Sequence, residues 1–188
     1  MIDYYFTKCV DWISFRTFKK HNQLKIRTLK PTYWDKDTIM LHAVMQLVVD
    51  YVEIELAALE IDYKNLTLKQ KLYKNLPWFL RSSELIRSRE LGLQHIQFIK
   101  SFNDKYYSEE DIHKTQIKHM EILEKVYLWW KDVYPNRLDP DDAAGFKFSL
   151  NYFDEEKAKD AIRIESEYYE EENKMLKLII DIRQSLWT

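Results

Sequence analysis

Only two glycines, Gly92 and Gly145, and four prolines punctuate a chain of 188 residues. Left-handed backbone and tight turns lean on glycine, and proline ends helices. A chain so poor in both is suited to long helices and not to a sheet with many turns. With 46% hydrophobic and 32% charged residues, it has enough apolar surface for one globular core. The expectation is an all-α fold, a bundle of about five helices. It should form one domain over residues 1–188, with an N-terminal amphipathic segment (1–30), a long buried central helix and a long C-terminal helix (150–188).

The apolar rhythm divides the chain further. Residues 3–21 read as an amphipathic helix facing its core with Phe6, Val10 or Cys9, Ile13 and Phe15. The short stretch Leu24–Leu29, with β-branched Ile26 and Thr28, reads as extended, and Pro31 then bars helical geometry from the residue before it. A second helix, capped near Asp35–Thr38 and running to about Glu60, is apolar around most of its circumference. Leu66–Ser83 reads as a short helix broken at Pro77. Ser82 or Ser83 is placed to cap a helix from Glu84 to about Phe102, with Leu85, Gly92, Ile96 or His95, and Ile99 along its line. Glycine inside a helix costs about 1 kcal/mol relative to alanine, so Gly92 implies close approach by a neighbouring helix or a ligand. Ser108 and Asp111 approximate a capping box for a helix ending before Pro135, and NRLDPDDAAGF reads as a loop. The last helix, Asp154 to Leu186, carries Ala161, Ile164, Tyr168, Met175, Ile179, Ile182 and Leu186 at three-and-four spacing, interrupted by EEEN at Glu170–Asn173.

Several function classes drop out. Two glycines cannot build a phosphate-cradling loop of the P-loop or dinucleotide type. There is no Gly-x-Ser-x-Gly elbow, and the lone Cys9 lies on an apolar helix face, so no nucleophile is indicated. A single cysteine also rules out an internal disulfide and a multi-cysteine zinc site. On the second helix, His42, Gln46, Asp50 and Glu53 fall within roughly 80° of one another, a polar stripe on an apolar cylinder. A carboxylate-bridged di-metal bundle would need two Glu-x-x-His pairs. The chain has one, Glu110–His113, and Arg87 stands three residues after Glu84 where an imidazole would be required. The stripe is therefore read as a thin solvent face or as polar pairing between helices. No metal, cofactor or catalytic residue is expected. The chain reads as non-enzymatic.

Net charge is −2, which argues against a general nucleic-acid coat and against DNA as a partner. Residues 1–100 hold 16 Lys/Arg against 11 Asp/Glu, and residues 101–188 hold 13 against 20. The two halves are thus of opposite sign, a pattern compatible with association between subunits. No apolar run approaches a membrane span and the first residues lack a signal-peptide pattern, so neither membrane insertion nor export is expected. What remains is a set of aromatics and arginines near helix ends: Tyr33, Trp34, Arg81, Arg87, Trp129, Trp130 and Arg137. Aromatic faces stack on bases and guanidinium forks grip phosphate, so these seven form the candidate ligand-binding set. The plainer reading of the same residues is that the rings close the ends of the bundle while the arginines pair with nearby acids.

Four blocks carry a resemblance: PTYWDKDTIMLHAVMQLVVDYVEIE, RSRELGLQHIQFI, VYLWWKDVYPNRLDP and the terminal DIRQSLWT. As a set they resemble a widespread group of small all-α proteins of tailed bacteriophages, over roughly residues 31–188. The functional likeness is to the phage anti-CBASS sponge proteins. That resemblance implies an immune-evasion role in the host bacterial cytoplasm. The protein would bind a cyclic dinucleotide such as 3′,3′-cGAMP without cleaving it, as a homo-oligomer, with a tetramer favoured. The alternative is a non-enzymatic phage structural, assembly or host-protein-binding adaptor protein. A phosphodiesterase built on the His42–Glu53 stripe ranks last.

Overall fold

The computed structural model describes Lys8, Val10, Leu24 and residues 26–77, 82–101, 110–147 and 154–186. Among these every regular element is helical, as the scarcity of turn residues requires. The α-helices are α1 (Lys36–Asp50), α2 (Ala57–Leu59), α3 (Leu68–Asn75), α4 (Arg89–Ser101), α5 (Glu110–Leu128), α6 (Pro140–Ala144) and α7 (Glu155–Ile182). Contacts divide the chain into two compact units, Met1–Phe102 and Asn103–Thr188.

In the first unit, α1 continues without a break through a π-helical segment, Tyr51–Leu56, into α2. The run therefore spans the length expected of the central helix, but not as uniform α-helix. Met45, Val48, Val52 and Ala57 are wholly buried along it, with Leu41, Val49, Tyr51 and Leu56 nearly so. Its apolar circumference is not fully covered, since Met40, Leu47 and Leu59 remain exposed. Burial raises the pKa of the Tyr51 phenol, and the charge of Glu55 adds to the shift.

Helix α4 packs against the π-helical segment and α2. A Cβ on Gly92 would stand 2.1 Å from the carbonyl oxygen of Val52. The close neighbour implied by Gly92 is thus the backbone of the central run. The helix also begins later than its serines suggested. Ser83–Leu85 forms one 3-10 turn, and α4 opens at Arg89, where the Ser88 hydroxyl accepts from the Leu91 N–H (3.2 Å). The physical reason is a tether: the Ser88 N–H donates to the Glu53 carbonyl (2.8 Å), so this amide is committed outside the helix.

Upstream, the described residues of Leu24–Leu29 form no strand. Arg27–Leu29 bends, and the Arg27 N–H donates to the Gln46 side chain (3.1 Å). Its ladder partner is a side chain on a helix, so β-branching alone does not make it a strand. Thr67 and Gln70 form a reciprocal capping box at the start of α3. The N-terminal helix lies outside the described residues except for Lys8 and Val10, and Val10 is exposed.

In the second unit, α5 passes into a π-helical segment, Trp129–Val133, and a 3-10 turn, Tyr134–Asn136. Met120, Leu123, Val126, Tyr127, Trp129 and Trp130 are buried along it. The capping box at Ser108 lies outside the described residues. The stretch read as a loop contains α6: Asp139 caps it, Pro140 opens it and Gly145, at φ 63°, closes it. Proline at the first position and a left-handed glycine at the end are helix signals as much as loop signals. Helix α7 packs against α5 and α6, with Ala161, Met175, Ile179 and Ile182 buried. His119 Nδ1 lies 2.5 Å from Ser185 Oγ, tying the turn after α7 to α5. Among the described residues no helix is long and apolar enough to cross a membrane.

Candidate functional site

The polar stripe of α1 is drawn into a cluster of arginines and acids. Arg87, in the segment before α4, places Nη2 2.5 Å from Asp50, Nη1 2.6 Å from Glu53 and Nε 2.9 Å from Glu84. Arg27 donates to Asp50 at 2.7 Å and also pairs with Glu84. Gln46 bridges to Asp50 (2.9 Å), and Thr28 Oγ1 lies 2.6 Å from His42 Nδ1. Two arginines thus face three carboxylates, with the Glu53 side chain only 7% exposed. Burial works against the Arg87 charge, but hydrogen bonds and attraction from Asp50 and Glu53 outweigh it, and its pKa rises. His42 goes the other way, since burial lowers its pKa. The stripe is polar pairing between segments. Among the described residues no group of three or more His, Cys, Asp or Glu side chains is arranged to hold a metal.

The second unit builds its own arginine cluster on different surroundings. Arg137, just beyond the 3-10 turn, donates from Nη1 to Glu172 (2.9 Å) and from Nη2 to Glu171. Its guanidinium lies 4.5 Å from the Tyr168 ring centroid, 5.1 Å from Trp129 and 5.2 Å from Tyr134. Trp130 stacks on Tyr134 at 4.4 Å, and Trp129 meets Tyr134 edge-on at 5.5 Å. Burial raises the Tyr134 pKa, the charge of Glu172 adds to it, and Arg137 offsets part. The Trp129 Nε1–H is buried and has no hydrogen-bond partner among the described residues. A buried donor left without an acceptor costs about 1–3 kcal/mol. The π-helical segment that presents Trp129 and Trp130 is a rare geometry that recurs at functional sites.

The seven sequence candidates therefore distribute as follows. Arg87, Tyr33 and Trp34 belong to the first unit, and Trp129, Trp130 and Arg137 to the second, where they come together. Tyr33 is 85% exposed, its hydroxyl 3.4 Å from Asp35. Trp34 is partly exposed and donates to the Lys30 carbonyl (3.0 Å). Arg81 lies outside the described residues. Sequence reasoning missed Arg27, Tyr134, Tyr168, Glu171 and Glu172. A signal for the last two was present: the EEEN interruption falls where α7 would otherwise continue its apolar line, and Glu171 and Glu172 fill that position facing Arg137.

Compared with known proteins, the chain matches no family model, no curated protein and no solved structure.

Proposed function

We propose that the protein acts by binding, without catalysis, and that its ligand is a cyclic dinucleotide such as 3′,3′-cGAMP, sequestered from CBASS effectors in a phage-infected bacterium. The ligand class comes from the resemblance of the four sequence blocks to phage sponge proteins. The observation that carries the reading is local: an arginine beside three rings next to a buried indole N–H that lacks an acceptor. Bases stack on such rings at about 1–3 kcal/mol each, and a phosphate supplies acceptors for both a guanidinium and an indole donor. Recognition centres on Arg137, Trp129 and Trp130. Arg87 is already committed to three carboxylates and serves to hold the first unit together. In this reading the protein works in the host cytoplasm as a homo-oligomer, with a tetramer favoured.

A second reading, a phage assembly or host-protein-binding adaptor, is favoured by the acids themselves. Both arginine clusters carry one more carboxylate than arginine, and such a balance repels free anions. A thermal-shift panel of cyclic dinucleotides separates the two. Sequestration predicts a large rise in melting temperature by linkage, with the nucleotide recovered intact after denaturation. No shift across the panel moves the adaptor reading ahead, and recovery of a linear product would point to an enzyme.

A further inference from the structure

The acids that face Arg137 are unusual in position. Glu171 and Glu172 are consecutive on α7, at the point where the core line Ala161–Ile164–Tyr168 should pass on to Met175. Both carboxylates reach the single Arg137 guanidinium. They also differ from the arginine in exposure. The Arg137 side chain is 11% exposed, whereas Glu171 is 39% and Glu172 20%. Glu171 can turn into solvent without leaving a charge buried, but Arg137 is hemmed by Trp129, Tyr134 and Tyr168 and cannot follow. The carboxylates satisfy the guanidinium and leave the adjacent Trp129 N–H without an acceptor.

Building on the proposed binding of a cyclic dinucleotide at Arg137, we infer that Glu171 and Glu172 are an internal stand-in for the ligand phosphate. They occupy the Arg137 fork in the free protein and are displaced by a phosphodiester that also accepts from Trp129. The contact is autoinhibitory in the thermodynamic sense: every anion that binds must first compete with two tethered carboxylates. It keeps the buried cation paired while the site is empty, which an unpaired guanidinium among rings would not tolerate.

The test is calorimetric titration of 3′,3′-cGAMP into wild type, Glu171→Gln, Glu172→Gln and the double variant, each checked for helicity. Removing a competing carboxylate should tighten binding about fivefold or more, the double variant most, and adding Arg137→Gln should abolish the gain. If the double variant does not fold, Glu171→Gln decides alone, since its side chain is the most exposed of the cluster. Wild-type binding with unchanged or weaker affinity in the folded Gln variants would overturn the stand-in while leaving the sponge reading intact. Absence of binding in every protein would overturn the sponge reading and the stand-in with it.

Discussion

The Arg87 and Arg137 clusters share a plan and differ in their walls. In each, an arginine from an irregular segment reaches a helix whose core-facing line has been interrupted by acids, near a π-helical segment. Around Arg87 the walls are polar: Arg27, Gln46, Asp50, Glu53 and Glu84 complete a network with acceptors on three sides of the guanidinium. Around Arg137 the walls are aromatic, and one buried donor is left over. A closed polar network fixes one arrangement of segments, whereas an aromatic wall with a spare donor has capacity for something else. The difference is the ground for proposing Arg87 as scaffold and Arg137 as the arginine available to a ligand.

The glycines of the two units sharpen that contrast most strongly. Gly92→Ala drives a methyl group into the Val52 carbonyl, a backbone atom that cannot step aside, and should cost about 3 kcal/mol or more. Gly145→Ala meets nothing within 4 Å and pays only for its left-handed backbone, about 1 kcal/mol. Chemical denaturation of both variants checks the ratio. Equal losses would mean that α4 is not seated on the central run as described.

Removing the arginines should give the next largest difference. Arg87→Ala removes the cation facing the buried Glu53 and leaves Asp50 to Arg27 alone, at a cost of about 3 kcal/mol. Arg137→Ala leaves no carboxylate as buried as Glu53, since Glu171 is 39% and Glu172 20% exposed and water can serve both, and it forfeits ring contacts worth about 1 kcal/mol. Melting curves in which Arg137→Ala is the more damaging would reverse the assignment of scaffold and site.

The smallest effect is a pH dependence from His42. Its native pKa lies below the ordinary 6.5 because the ring is buried. Between those two values the unfolded chain binds more protons than the folded one, so stability falls as pH is lowered through 6.5. Above that window the term vanishes, and its slope stays under about 1.4 kcal/mol per pH unit. His42→Gln should flatten this part of the stability profile relative to wild type, and an unchanged difference between pH 7.5 and pH 5 would remove His42 as its source.

The helical fold was legible because it depends on quantities a sequence displays directly, namely glycine scarcity and three-and-four spacing. The buried line Met45, Val48, Val52 and the close contact at Gly92 follow from them. The π-helical segments were not legible, because a one-residue shift in hydrogen-bond register leaves the apolar pattern of Tyr51–Leu56 and Trp129–Val133 looking like ordinary helix. The start of α4 was misplaced because Ser82, Ser83 and Ser88 are equivalent as caps until the Ser88 N–H finds the Glu53 carbonyl. The candidate site was half legible: its aromatics and Arg137 announce themselves by type. The arginine partners of the stripe do not, since Arg27 lies 23 residues from Asp50 and Arg87 lies 34 from Glu53.

The central claim is that the aromatic-walled arginine binds and the acid-walled arginine holds. Calorimetry of 3′,3′-cGAMP against wild type, Arg137→Gln and Arg87→Lys tests it directly, with each variant first shown to be folded. The account predicts binding by wild type, a loss of about tenfold or more in Arg137→Gln, and near-wild-type affinity in Arg87→Lys, which keeps the charge its three carboxylates require. Full affinity in Arg137→Gln, or no binding by the wild-type protein, would contradict it.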